Sequence, residues 1–240
     1  MLPSGQRLAD DNIYLQNDRF QKPKEIFKLI AARIMAFPGA GTPLDILDVG
    51  CATGELLFHL GHVLGPHHKY TGVDVSGAML KLAKTMVPAA EFSTLDISAD
   101  AGEFARAHDV VICSGVLGIF DDLTVPLRNL LKLCKPGGVI LAFTDVNDSD
   151  IDLISRYRRV GEANAPRETG WNIFSKRTIE TIAKDAENKC QINFLDFELP
   201  FDVPENADPM RNWTVKIDER RLCTNGAGLL LREKLIEIYK

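Results

Sequence analysis

The stretch LDILDVGCATGELLFHL, Leu44 to Leu60, decides how the rest of the chain is read. Leu44, Ile46, Leu47 and Val49 make an apolar run of strand length that breaks into a turn of small residues, Gly50, Cys51, Ala52 and Gly54. Glu55 then enters GELLFHLGHVL, whose apolar residues recur at helical spacing until Gly65 and Pro66 stop it. A strand, a tight turn and a helix in that order offer backbone to a nucleotide-like ligand. The side chains narrow the choice. A dinucleotide pattern GxGxxG needs a small residue where Glu55 stands, and a phosphate loop GxxxxGK[ST] needs a lysine that does not follow. Acidic groups at Asp48 and Glu55 suit a ligand carrying positive charge.

Outward from that stretch the chain alternates strands and helices. Before it, KPKEIFKLIAARIMAF, Lys22 to Phe37, places Ile26, Leu29, Ile30 and Ile34 on one helical face. After it, KYTGVDVS reads as a strand, and Ser76 is placed to cap the helix GAMLKLAKTMV, which Pro88 ends. AEFSTLDI and HDVVICSG follow as strands on either side of a short helix DAGEFARA. LTVPLRNLLKLC is the next helix, and KPGGVILAFTDV is a fifth strand behind a Gly-Gly turn. Such alternation predicts parallel pairing through right-handed crossovers, with helices on both faces. Beyond Val146 the expected elements are a charged helix DSDIDLISRYRRVGEA, a loop around Pro166 to Trp171 and an amphipathic helix SKRTIETIAKDAENK capped by Ser175. Two strands close the chain, QINFLDFEL and GLLLREKLIEIYK, on either side of a Pro- and Asp-rich segment. The expected organisation is one domain over 1–240: an N-terminal helical cap (1–43), a ligand-binding core (44–146) and insertions with the last strands (147–240).

Composition excludes several classes. The net charge of -5, from 28 basic and 33 acidic side chains interleaved along the chain, leaves no field for holding nucleic acid in bulk. The 5 cysteines stand singly, without the pairing of a disulfide framework or a zinc site, which fits a reducing cytoplasm. No apolar run approaches the ~18 residues of a membrane span, so the chain reads as soluble and cytoplasmic.

Asp74 ends the second strand, where a carboxylate can accept both ribose hydroxyls of a nucleoside; capping the following helix is its other available role. At this point the chain resembles the class I S-adenosylmethionine-dependent methyltransferases, over about Ile46 to Val146. LDVGCATGE is similar to their first motif, TGVDVS to the second, STLDIS to the third, and DVVICSGVLGIF with LLKLCKPGGVILAF to their later strands. The resemblance implies an α/β Rossmann-like fold: a seven-stranded, mostly parallel sheet with helices on both faces and an antiparallel C-terminal hairpin. It implies S-adenosyl-L-methionine as cofactor. Asp48, Gly50, Cys51, Ala52 and Gly54 would lie against its methionine part, Asp74 and Val75 at the ribose, Asp96 and Ile97 at the adenine, and Ser114 near the reactive methyl. Ala52 stands where many relatives carry glycine.

Methyl displacement needs alignment more than covalent help, and proximity alone supplies about 7–11 kcal/mol. A hydroxyl acceptor would still profit from a base. The 5 histidines, His59, His62, His67, His68 and His108, precede the segments expected to cover the acceptor and read as packing or surface residues, and no metal site is expected. Asp145, at the end of the fifth strand, is the candidate base, with Tyr14 the next candidate and Tyr157 and Asp148 behind; Asp145 fits a turn former equally well. Arg156, Arg158, Arg159 and Arg167, near Tyr157 and Trp171, match either a solvated helix face or an anion-reading cluster, and Arg156, Tyr157 and Arg159 are the candidate acceptor-binding residues. Arg211 and Trp213 form a similar pair, and Tyr14 and Arg19 lie in an N-terminal stretch that could cover the cofactor. The expected partner is a small-molecule methyl acceptor, accepting on oxygen or nitrogen, with anionic metabolites among the options and no membrane or nucleic acid. An RNA-modifying enzyme and a non-catalytic cofactor-binding protein of the same fold are the alternatives, and oligomeric state is open.

Overall fold

A computed structural model describes residues 19–39, 41–99, 108–158, 160 and 167–240. The N-terminal helix forms as α1, Glu25–Met35, and buries Ile26, Phe27, Ile30, Ala31 and Ile34 along one stripe. The quoted stretch becomes β1, Asp45–Val49, and α2, Glu55–Leu64. The next unit is β2, Lys69–Asp74, with α3, Gly77–Met86, whose cap is Ser76: its hydroxyl accepts from Met79 N at 3.4 Å. Then come β3, Glu91–Thr94, β4, His108–Ser114, α4, Thr124–Leu133, and β5, Cys134–Asn147. The expected helix DAGEFARA lies outside the described residues.

The main sheet has the order β3-β2-β1-β4-β5-β11-β7, where β7 is Gln191–Asp196 and β11 is Glu233–Tyr239. The first five strands pair in parallel. β11 runs antiparallel to both β5 and β7, which is the expected C-terminal hairpin. A two-residue strand β6, Phe174–Ser175, pairs with the far end of β5 and leads into α5, Lys176–Ala186. Ser175 caps α5 by accepting from Thr178 N at 3.1 Å. Side-chain alternation divides the core in two. Leu47 and Val49 of β1 join Leu127 and Leu130 of α4 and Ile179 of α5, whereas Ile46 packs with Ile30, Leu57 and Leu80 of α1, α2 and α3.

β2 and β4 flank β1 on opposite sides, so the chain changes its stepping direction there, and a crevice opens at the carboxyl ends of β1 and β4. That edge gathers Asp48, the Gly50–Gly54 turn, Asp74 and Ser114.

Two expectations past Val146 give way to different structures. No helix forms over the described part of 148–163; the segment is extended, with Leu153 bridged to Ile173 and Tyr157 to Glu168. It has no apolar stripe to bury, since Ile151 and Ile154 are exposed, and its acids are engaged elsewhere: Asp152 accepts from Ser175 N at 2.6 Å and Asp150 from Arg177 at 2.9 Å. The Pro- and Asp-rich segment holds strands β8, Trp213–Ile217, and β9, Arg220–Thr224, which join β10, Leu230–Leu231, in a separate antiparallel sheet. The final strand is thereby split at Arg232, with one part in each sheet. No helix among the described residues is long and apolar enough to cross a membrane.

Because Ile30 is fully buried where α1 meets the sheet, Ile30→Ala is expected to cost about 2–5 kcal/mol in urea unfolding. A loss under about 1 kcal/mol would mean that α1 is not docked there.

Candidate active site

The turn after β1 is stitched to the end of β2. Gly50 N and Cys51 N both donate to the Val73 carbonyl, at 2.8 and 3.1 Å, and Ala52 N donates to Asp74 Oδ2 at 2.9 Å. The other Asp74 oxygen accepts from Ser76 N at 2.8 Å, so this one carboxylate ties together the turn and the entry to α3. Of the two roles considered for Asp74, the structure shows the organising one: its carboxylate holds the start of the next helix, at the edge of the crevice. Gly50, Ala52 and Gly54 all have positive φ, +76°, +46° and +85°. At Gly50 a side chain is excluded as well, because a Cβ would lie 2.3 Å from Val116 Cγ2. Ala52 takes the left-handed conformation at a cost of about 1 kcal/mol, which a glycine there would not bear.

Asp48 and Glu55 are both buried, and Glu55 Oε1 has no hydrogen-bond partner. Burial, with Asp74 and Glu55 adding negative charge, pushes the Asp48 carboxyl up to about 8, against the pull of Lys24. The turn thus holds buried carboxyl groups that a cation would satisfy. Farther along the crevice, Asp96 Oδ1 accepts from Ser98 N and Oγ, at 2.8 and 2.6 Å. The Ile97 side chain is buried, and its carbonyl accepts from Asn129 at 2.9 Å. Cys51 is buried against Gly72, Val75 is exposed, and Ser114 is half-buried at the end of β4.

Ser114 and Gly115 also form part of the wall of a cavity of about 910 Å³. Its apolar walls include Phe143, Trp171, Phe197 and Trp213, and its mouth carries Arg19, Lys22, Lys24, Lys28 and Arg211 against Glu25. Glu233 reaches it from the first position of β11 and Cys223 from β9. Lys24, the residue before α1, is exposed as a residue, yet protein crowds round its ammonium group: burial and then Arg19 lower it to about 8, while Glu55, Glu233 and Asp48 pull it the other way.

Asp145 pairs directly with Glu233 across β5 and β11, so their side chains leave the same face of the sheet. Asp145 is pushed up to about 8 by burial and then by Glu233, and its Oδ1 has no partner. It does not line the cavity; Glu233 does. Asp148 is a weak base in this setting: burial opposes it, but hydrogen bonds from Lys176 and Arg232 hold its carboxyl at about 2. Arg156 is engaged by Asp121 and by the Ser155 carbonyl, and the Tyr157 hydroxyl donates to Glu168 at 3.1 Å beside Trp171. None of these groups is brought to the cavity wall. Tyr14 and Arg159 lie outside the described residues. No histidine among the described residues lines the cavity, and no cluster of metal-ligating side chains occurs among them. Lys24 and Glu233 escape sequence reasoning. Only the register of β11 against β5 brings Glu233 to Asp145, and nothing local in the sequence marks it.

Residues 18–189 match a family model described as methyltransferase domain. The chain is 28% identical over 120 residues to a nocamycin O-methyltransferase of Saccharothrix syringae, covering 48% of this chain and 43% of that protein. It is 35% identical over 115 residues to a demethylmenaquinone methyltransferase of Lactococcus lactis, covering 46% and 45%. In each case the match spans less than half of the relative's length. Among solved structures, a TehB-like SAM-dependent methyltransferase from Corynebacterium glutamicum superposes with a TM-score of 0.59 at 16% identity, covering 98% of this chain and 100% of that one, a likeness of fold.

Asp74→Ala removes the acceptor for two backbone N–H groups and the expected ribose carboxylate. Calorimetry with S-adenosylhomocysteine is expected to show affinity about ten- to hundredfold weaker. Unchanged affinity would put the ribose elsewhere.

Proposed function

The chain belongs to the methyltransferase domain family, and on that premise we propose that it transfers a methyl group from S-adenosyl-L-methionine to an oxygen or nitrogen of a small molecule held in the aromatic-walled cavity. The observation that carries this reading is the shared wall: Ser114 and Gly115 end the strand beside the glycine turn and also line the cavity. A cofactor in the crevice and an acceptor in the cavity would meet there.

The residues at the crevice fit the cofactor's chemistry. Asp48 and Glu55 offer buried carboxyl groups to its cationic end, the turn's left-handed backbone leaves room for close approach, Asp74 and Val75 stand where the ribose would lie, and Asp96 with Ile97 would receive the adenine. When bound, S-adenosylmethionine supplies a methyl activated by the sulfonium. The protein's part is to align the acceptor with it, worth about 7–11 kcal/mol, and to exclude water through Phe143, Trp171, Phe197 and Trp213.

The cations at the cavity mouth support an acceptor with an anionic portion, bound with its apolar body among the aromatic rings. Arg156, expected from sequence in this role, is engaged by Asp121 and does not line the cavity, whereas Lys22, Lys28 and Arg211 do.

Isothermal titration with S-adenosylhomocysteine tests the reading. Binding tighter than about 1 mM is expected, and its absence would remove the enzymatic assignment. Asp48 holds its proton up to about 8 in the free protein, and a bound ammonium favours the ionised form. Binding at pH 7 should therefore release close to one proton, seen as a heat that depends on the buffer's own ionisation enthalpy. A buffer-independent heat would mean that Asp48 does not meet the ligand's charge.

A further inference from the structure

Resting on the reading of the cavity as the acceptor site, we infer that Glu233, backed by Asp145, is the proton acceptor for a planar, hydroxyl-bearing aromatic or enolic substrate. The two side chains leave the same face of the sheet from directly paired positions of β5 and β11. Both are desolvated, so two negative charges side by side are disfavoured and the pair retains a proton at neutral pH.

The surroundings decide where that proton sits. Glu233 Oε2 accepts from the Cys223 thiol at 3.5 Å, and Lys24, which lines the same cavity, draws the Glu233 carboxyl down. Asp145 Oδ1 has no donor. Hydrogen bonding and the nearby cation favour charge on Glu233, so the proton belongs to Asp145. The charged groups facing Lys24 in turn are Arg19, Glu55 and Asp48. Glu233 is also the member of the pair that lines the cavity. Behind it, neutral Asp145 adds no second charge.

The reaction balances without another reagent. The acceptor O–H bond breaks as its proton passes to a Glu233 oxygen. The hydroxyl oxygen uses an electron pair to bond the methyl carbon, and that carbon's bond to sulfur breaks with its pair remaining on sulfur.

The same geometry selects the substrate class. A carboxylate acceptor would meet Glu233 charge against charge, and an amine bound neutral needs no base before attack. A phenol or enol loses its proton reluctantly in water, about pKa 10 for the tyrosine hydroxyl, and profits from a base held above the ordinary carboxylate range. The aromatic walls, Phe143, Trp171, Phe197 and Trp213, suit a flat body.

The test compares two probes in the presence of S-adenosylhomocysteine: 2-naphthol, and 2-methoxynaphthalene, which has the same ring system but no donor. Wild-type protein is expected to prefer the naphthol by about tenfold. Glu233→Gln should erase most of that preference, and Asp145→Asn should retain it. Equal binding of the two probes by the wild type would overturn the role of Glu233 while leaving the cavity reading in place. Binding of neither, with S-adenosylhomocysteine bound normally, would overturn the cavity reading and the inference with it. Carboxyl carbon NMR titration of labelled protein supplies a readout that a packing role would not move. Of the two steps near 8, from Asp48 and Asp145, one should vanish in Asp145→Asn and should move down in Glu233→Gln as the neighbouring charge disappears. Persistence of both steps near 8 in Asp145→Asn would place the proton on Glu233 and overturn the inference.

Discussion

Carboxyl groups crowded at one turn set the terms for the whole site. Asp48, Glu55 and Asp74 converge at one turn, and Glu55 keeps an oxygen without any partner. In water three carboxylates would ionise freely. Here burial, with Asp74 and Glu55 adding negative charge beside it, keeps Asp48 protonated near neutrality. The arrangement persists because the backbone compensates: Asp74 is satisfied by Ala52 N and Ser76 N, and the turn is closed by two bonds to the Val73 carbonyl. An acidic hollow is thus held open by hydrogen bonds that belong to the fold.

The same logic extends to the cavity. α1 is anchored by its apolar stripe and by Arg33, which donates to the buried carboxylate of Glu237 at 3.1 Å. That anchoring puts Lys24, the residue just before the helix, between the acids of the glycine turn and Glu233. One lysine therefore faces both halves of the site. Its lowered pKa and the raised values of Asp48 and Asp145 share a cause, desolvation, with opposite signs for cation and acids. The fold itself leaves the acceptor undecided, since the crevice is built from the strand ends, whereas the cavity also draws on the start of α1 and on segments added after β5.

Much of the cofactor half is legible in the order of residues. The strand, turn and helix from Leu44 to Leu60 form where the residue pattern places them, as do the caps at Ser76 and Ser175. These are local effects: alternation of apolar residues, glycines at positive φ, a hydroxyl at a helix start. The charged segment after Val146 reads as helix only while its arginines and acids are paired with one another; in the fold Asp150, Asp152 and Arg156 bond to Arg177, Thr178 and Asp121, distant in sequence. The small sheet of β8, β9 and β10 is hidden from sequence for a similar reason. Its strands are short and irregularly patterned, and they are held by Met210, Cys223 and Leu231 packing on Trp171 and Ile173.

The sequence by itself determined the family, the parallel core and the small-residue turn with its acidic neighbours, because each rests on residues adjacent in the chain or repeated at a fixed spacing. Tertiary structure alone decided which groups line the cavity. Asp145 is visible in the sequence as a carboxylate at a strand end, but its partner Glu233 comes from the last strand and meets it only through antiparallel register. Lys24 joins them because α1 docks on that face. Electrostatic coupling depends on distance and burial, neither of which is written in the order of residues.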